Sequence, residues 1–155
     1  NKGNKFMKIL ILLIITFFSF SLQAHKYETD NMIVDHPWMK IVNMNGAGYF
    51  KIKNTGTTDI QLLEVVSDSV DNIEIHTIIM EDDIAKMRPV NGGVIIKAAE
   101  SLEFKPMGYH LMFFGINKKL EEGELMNAHF RFKNSKDLLV KFKVESNKSS
   151  HNHEH

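Results

Sequence analysis

Apolar residues recur at every second position along much of the chain, most plainly at Phe130 and Phe132 and again at Leu138, Val140, Phe142 and Val144. A period of two marks a strand with one buried and one wet face, because successive side chains leave opposite sides of the pleat. Runs of this kind predict strands over Met32–Asp35, Trp38–Met44, Gly48–Lys53, Ile60–Ser67, Asn72–Met80, Val94–Lys97, Leu102–Lys105, Tyr109–Gly115, Glu124–Phe132 and Leu138–Val144. Turn-forming residues separate them, among them Asn45-Gly46, Asn91-Gly92-Gly93 and Lys105-Pro106-Met107-Gly108. No stretch carries a convincing helical period. Short strands spaced about 8–12 residues apart predict one all-β domain, an antiparallel sandwich or barrel, without internal repeats.

The two ends break this pattern. Lys2, Lys5 and Lys8 precede the apolar run Ile9 to Phe20, and Ser21-Leu22-Gln23-Ala24 follows it, the layout of a secretory signal peptide over residues 1–24. A membrane span needs about 20 apolar residues, so the expectation is an exported, periplasmic protein with no membrane span after cleavage. The folded domain is expected over residues 25–145. Residues 146–155 offer nothing apolar to bury and read as a disordered tail, with His151, His153 and His155 as a possible accessory metal set.

The charges, 19 basic and 19 acidic, balance over the whole sequence. Loss of the three leader lysines leaves the domain and tail mildly acidic, with no electrostatic footprint for nucleic acid. There is no cysteine, so the core alone must hold the fold. Any soft metal ligand must then be a thioether, which does not form disulfides in an oxidising compartment.

Against that background the spacing His76-x10-Met87-x22-His110-x-Met112 stands out. Two imidazoles and two thioethers suit Cu(I), because ligand softness favours the monovalent ion over harder ones. His110 and Met112, two apart on a strand, leave the same face. His76 ends the run Ile73-Glu74-Ile75, and Met87 follows after the polar stretch Glu81-Asp82-Asp83, an excursion able to bring it back toward His76. Spacing alone leaves a second reading open, in which Met87 and Met112 fill gaps in the core and the histidines are satisfied polar residues.

The flanking residues bear on that choice. Val70-Asp71-Asn72-Ile73-Glu74-Ile75-His76-Thr77, Lys86-Met87-Arg88-Pro89-Val90 and Phe104-Lys105-Pro106-Met107-Gly108-Tyr109-His110-Leu111-Met112 together resemble the periplasmic copper chaperone family PCuAC. The resemblance runs from about Trp38 to Val144. It implies an antiparallel Greek-key β-sandwich, cupredoxin-like, that binds one Cu(I) through His76, Met87, His110 and Met112. It also implies delivery toward the CuA centre of cytochrome c oxidase, to a CuA-bearing subunit or a Sco-type protein. No enzymatic activity is expected. A copper buffer serving tolerance and a β-sandwich binding module without metal are the competing functions. The chain departs from the family at Met107, where a second glycine is common, making either a less permissive turn or an added sulfur near the metal.

Other residues carry lesser expectations. Met80 is an alternative thioether or packs beside Ile78 and Ile79. His36 is expected in a solvated loop, Trp38 and Phe50 in the core, and His129 on the solvent side of its strand. His25, if it follows the cleavage point, forms a Cu(II) chelate with its own amino group. The tail histidines offer nitrogen only, which suits Cu(II) better than Cu(I).

Overall fold

The computed structural model describes residues 26–146, all of it strand and connecting loop. His25, the leader over 1–24 and the tail histidines His151, His153 and His155 lie outside the described residues. In chain order the strands are β1 (Lys26–Glu28), β2 (Met32–Val42), β3 (Asn45–Asn54), β4 (Ile60–Val66), β5 (Val70–Glu81), β6 (Ile84–Pro89), β7 (Val94–Ile96), β8 (Ser101–Phe104), β9 (His110–Ile116), β10 (Leu125–Phe132) and β11 (Leu138–Val144). The fold is all-β, as the alternation predicts.

The strands are joined in the order β6-β5-β9-β3-β2-β11-β10-β4-β7, with β1 paired to β2 and β8 to β3. This long path folds over on itself. Phe50 of β3 stacks on Phe104 of β8 and meets Phe130 of β10 edge-on at 4.9 Å, and Phe113 of β9 meets Phe142 of β11 at 5.5 Å. Aromatic rings from the two halves of the path therefore interdigitate in one core, at separations where aromatic pairs add to simple burial. Phe50 is in that core, as expected.

One expectation fails in detail. The sheet is not wholly antiparallel, because β11 runs parallel to β2 through Lys143↔Trp38 and Val144↔Met39. The two strands lie far apart in sequence, and no hairpin constrains their relative direction.

Trp38 is a second correction, being only half-buried. The predicted gap at His36-Pro37 is a bulge inside one continuous strand, with His36 at φ 48° and the β2–β3 register shifting between Asp35 and Trp38. Met32 and Val34 face the core before the bulge, Pro37 and Met39 after it. The extra residue moves Trp38 to the outer face, where it packs on Tyr49 at 4.5 Å. His36 is exposed, but in this bulge and not in a loop.

Candidate functional site

The predicted site residues sit on three neighbouring strands, β6, β5 and β9. In the β5–β9 ladder His76 is directly opposite His110 and Glu74 is opposite Met112, while in the β5–β6 ladder Pro89 is opposite His76 and Met87 is opposite Ile78. Side chains directly opposite each other in an antiparallel pair share a face. His76, Met87, His110 and Met112 consequently converge on one face, and Ile75, Leu111 and Phe113 point from the other into the core.

Met87 is brought back toward His76 by the polar excursion, which takes the form of a hairpin. β5 continues to Glu81, Asp82 and Asp83 make a two-residue turn, and β6 returns from Ile84. Both aspartates have positive φ, 51° and 61°, the signature of a tight hairpin turn whose twist matches that of its strands. Asp tolerates this left-handed region better than most residues. The polar stretch is thus a hairpin tip. Lys86 and Arg88 leave the opposite face of β6 from Met87 and hold Glu81 Oε2 at 2.7 and 2.9 Å. Their positive charges are turned away from the histidines.

The polar contacts fix what each imidazole presents. His110 Nδ1 lies 2.9 Å from the Gly108 carbonyl, which can only accept, so Nδ1 carries the proton of the neutral ring. That leaves a lone pair on Nε2, which faces the Met87 sulfur at 3.2 Å. A thioether is also an acceptor, so two electron-pair donors meet with no hydrogen between them. Tetrahedral bonds of about 2.0 Å to nitrogen and 2.3 Å to sulfur set such atoms about 3.5 Å apart, so the pair is already near the spacing that one bound soft cation requires. His76 Nε2 lies 2.7 Å from Glu74 Oε2, and its Nδ1 is buried without a hydrogen-bond partner among the described residues. The two rings stand 5.7 Å apart between centroids.

Burial separates the four residues. His110 is 5% exposed and Met112 half-buried, whereas Met87 is 53% exposed. The core-filler reading therefore fails for Met87. Met80 does not pack as expected either. It is 66% exposed, on the same face as Met87 and one row nearer the hairpin tip, because β5 outruns the core beyond Ile75. Met107 takes the less permissive turn: it follows Pro106 at φ 65°, is 75% exposed, and the turn closes through Gly108 N–H to the Lys105 carbonyl at 3.0 Å. His129 is exposed, as expected from its parity on β10. Glu74 was not among the predicted site residues. Its i, i+2 spacing to His76 was the signal that could have found it.

Among the described residues no group of three or more His, Cys, Asp and Glu could hold a metal ion. No helix among them is long and apolar enough to cross a membrane.

Comparison with known proteins agrees with this architecture. The LpqE-like family model, described as that of a lipoprotein, matches residues 32–144. An uncharacterized protein of Rickettsia prowazekii, RP573, is 30% identical over 114 residues, which are 70% of this chain and 63% of that protein. The match thus spans less than two thirds of the relative's length. Among solved structures, the copper-bound PCuAC domain from PmoF2 superposes with a TM-score of 0.66 at 16% identity, over 79% of this chain and 98% of that one. The Cu(I) form of DR1885 from Deinococcus radiodurans gives 0.62 at 20% identity, over 83% and 85%. At these identities the likeness is one of fold.

Proposed function

The chain belongs to the LpqE-like family, and on that premise we propose that it is a copper chaperone acting outside the cytoplasm. It takes one Cu(I) as cargo on the face built by His76, Met87, His110 and Met112. The observation that carries this reading is the meeting of His110 Nε2 and Met87 Sδ at 3.2 Å, two acceptors whose juxtaposition is resolved by a soft cation. The folds of the copper-bound PmoF2 domain and of Cu(I)-DR1885 support it, as does the lipoprotein description of the family for export.

Four neutral ligands leave the ion's charge uncompensated within its first shell, so the site holds copper less firmly than a thiolate site. The exposure of Met87 offers an incoming protein one ligand to displace from the solvent side, which favours transfer over sequestration. The receiving partner in this reading is a CuA-bearing subunit of cytochrome c oxidase or a Sco-type protein.

The test is native mass spectrometry with Cu(I), followed by X-ray absorption on the loaded protein and on Met112→Leu. One copper per chain, with mixed nitrogen and sulfur scattering that loses sulfur in the variant, is expected. Absence of one-to-one uptake overturns the reading.

A further inference from the structure

The two histidines of the site are held by different partners, and the consequence is an asymmetry in how they bind. Glu74 and His76 are two apart on β5 and leave the same face, which places the carboxylate Oε2 2.7 Å from His76 Nε2. An ionised carboxylate only accepts, so the ring proton is on Nε2. His76 Nδ1 then has a bare lone pair in a position that is buried and unpartnered. On His110 the arrangement is reversed, since the Gly108 carbonyl takes the Nδ1 proton and Nε2 faces Met87.

We infer that Glu74 is a positioning residue that makes His76 bind Cu(I) through Nδ1, while His110 binds through Nε2. This rests on the copper reading above. A carboxylate or carbonyl on the far nitrogen of a ligating histidine is the usual means of fixing its orientation and raising its basicity. Here it has a further effect. Among the described residues the Glu74 carboxylate is the one anion hydrogen-bonded to a predicted ligand, so it offsets in the second shell the cation charge that the neutral first shell leaves bare. Lys86 and Arg88 cannot compete for it, being on the other face of the hairpin and engaged by Glu81. Glu74 is also directly across the ladder from Met112, so its side chain borders the second thioether of the site.

The test is nitrogen–proton correlation NMR of the histidine rings in the full chain, copper-free and loaded with Cu(I), which is diamagnetic. Without copper, His76 should show its proton on Nε2 and His110 on Nδ1. A His76 ring protonated on Nδ1 overturns the inference whatever the copper does. With copper, the His76 Nδ1 resonance should shift while the Nε2 proton is retained. Ligation through His76 Nε2 sinks the inference but leaves the chaperone reading standing, whereas no uptake at all sinks both.

Two variants separate geometry from charge. Glu74→Leu removes the acceptor, frees the ring to turn over, and should lower Cu(I) affinity by about 10–100-fold with mixed nitrogen ligation. Glu74→Gln keeps an acceptor but not the charge, so Nδ1 ligation should persist with a smaller loss. Unchanged affinity and ligation in Glu74→Leu would refute the positioning role. Glu74 is partly exposed, and an unchanged amide spectrum away from β5 will show that the variants fold.

Discussion

His76 and His110 are directly opposite each other across the β5–β9 ladder, with ring centroids 5.7 Å apart and planes inclined by 67°. The pair is set by register. A slip of one residue would turn one of the two rings into the core and break the site, and the core residues Ile75 and Leu111, paired in the same ladder, oppose that slip. The hydrophobic core thus fixes the distance between two polar groups on the other side of the sheet.

The same ladder logic distinguishes two methionines. Met87 touches His110, whereas Met80 stands one row farther toward the hairpin tip. Met87→Leu should weaken Cu(I) binding by at least about tenfold, judged by the cost of losing even an outer-shell partner. Met80→Leu should leave it within about twofold. Competition titration against a Cu(I) chelator measures both, and equal losses would show that Met80 belongs to the primary site.

The hairpin that carries Met87 depends on Glu81. A hydrogen bond from Lys86 holds the Glu81 carboxyl below its ordinary value, partly opposed by desolvation and assisted by the Arg88 charge. A carboxyl lowered in the folded state contributes stability above its unfolded value, near 4.5, and loses it as pH falls through the lowered folded value. Hydrogen exchange of the β6 amides, corrected for intrinsic rates, should therefore show increased opening from pH 5 to pH 3. Glu81→Gln should open the hairpin at pH 7 and flatten that dependence. β6 exchange in the unaltered protein that does not change with pH would contradict it.

Met107 sits at φ 65° without contacts that require its side chain, being 75% exposed. A left-handed non-glycine residue costs about 1–2 kcal/mol, and the added freedom of glycine in the unfolded chain returns roughly 0.5–1 kcal/mol of that. Met107→Gly should raise Tm by about 2–4 °C with Cu(I) affinity unchanged. A loss of affinity would instead make Met107 sulfur a copper contact, and thermal unfolding with and without Cu(I) separates the two.

In the core, Phe50 is 2% exposed and lies against Phe104, Phe130 and Phe142. Phe50→Ala should cost about 3–5 kcal/mol, read by urea unfolding. Because β3 also pairs with β9 through Ala47↔Met112, exchange at His110 and Met112 should rise in the same variant.

Much of this molecule was present in the alternation of its side chains. The parity of Phe130, Phe132, Val140 and Phe142 defined core strands because a half-buried strand must alternate, and the same parity put His110 and Met112 on one face. Fold class needed nothing more than a period of two, whereas spacing alone left the candidate ligands open to a core-packing reading that only the flanking motifs disfavoured. Other features depend on what lies beside a strand, which a single run of residues does not encode. Exposed on both faces, β6 has no apolar period, so its existence and the place of Met87 follow only from pairing with β5. The bulge at His36 reversed the parity of Trp38 through one residue's backbone angle. The parallel union of β11 with β2 joins segments about a hundred residues apart. The division of labour between His76 Nδ1 and His110 Nε2 likewise rests on tertiary structure, because the proton on each ring is placed by an acceptor, Glu74 or the Gly108 carbonyl, whose position the fold decides.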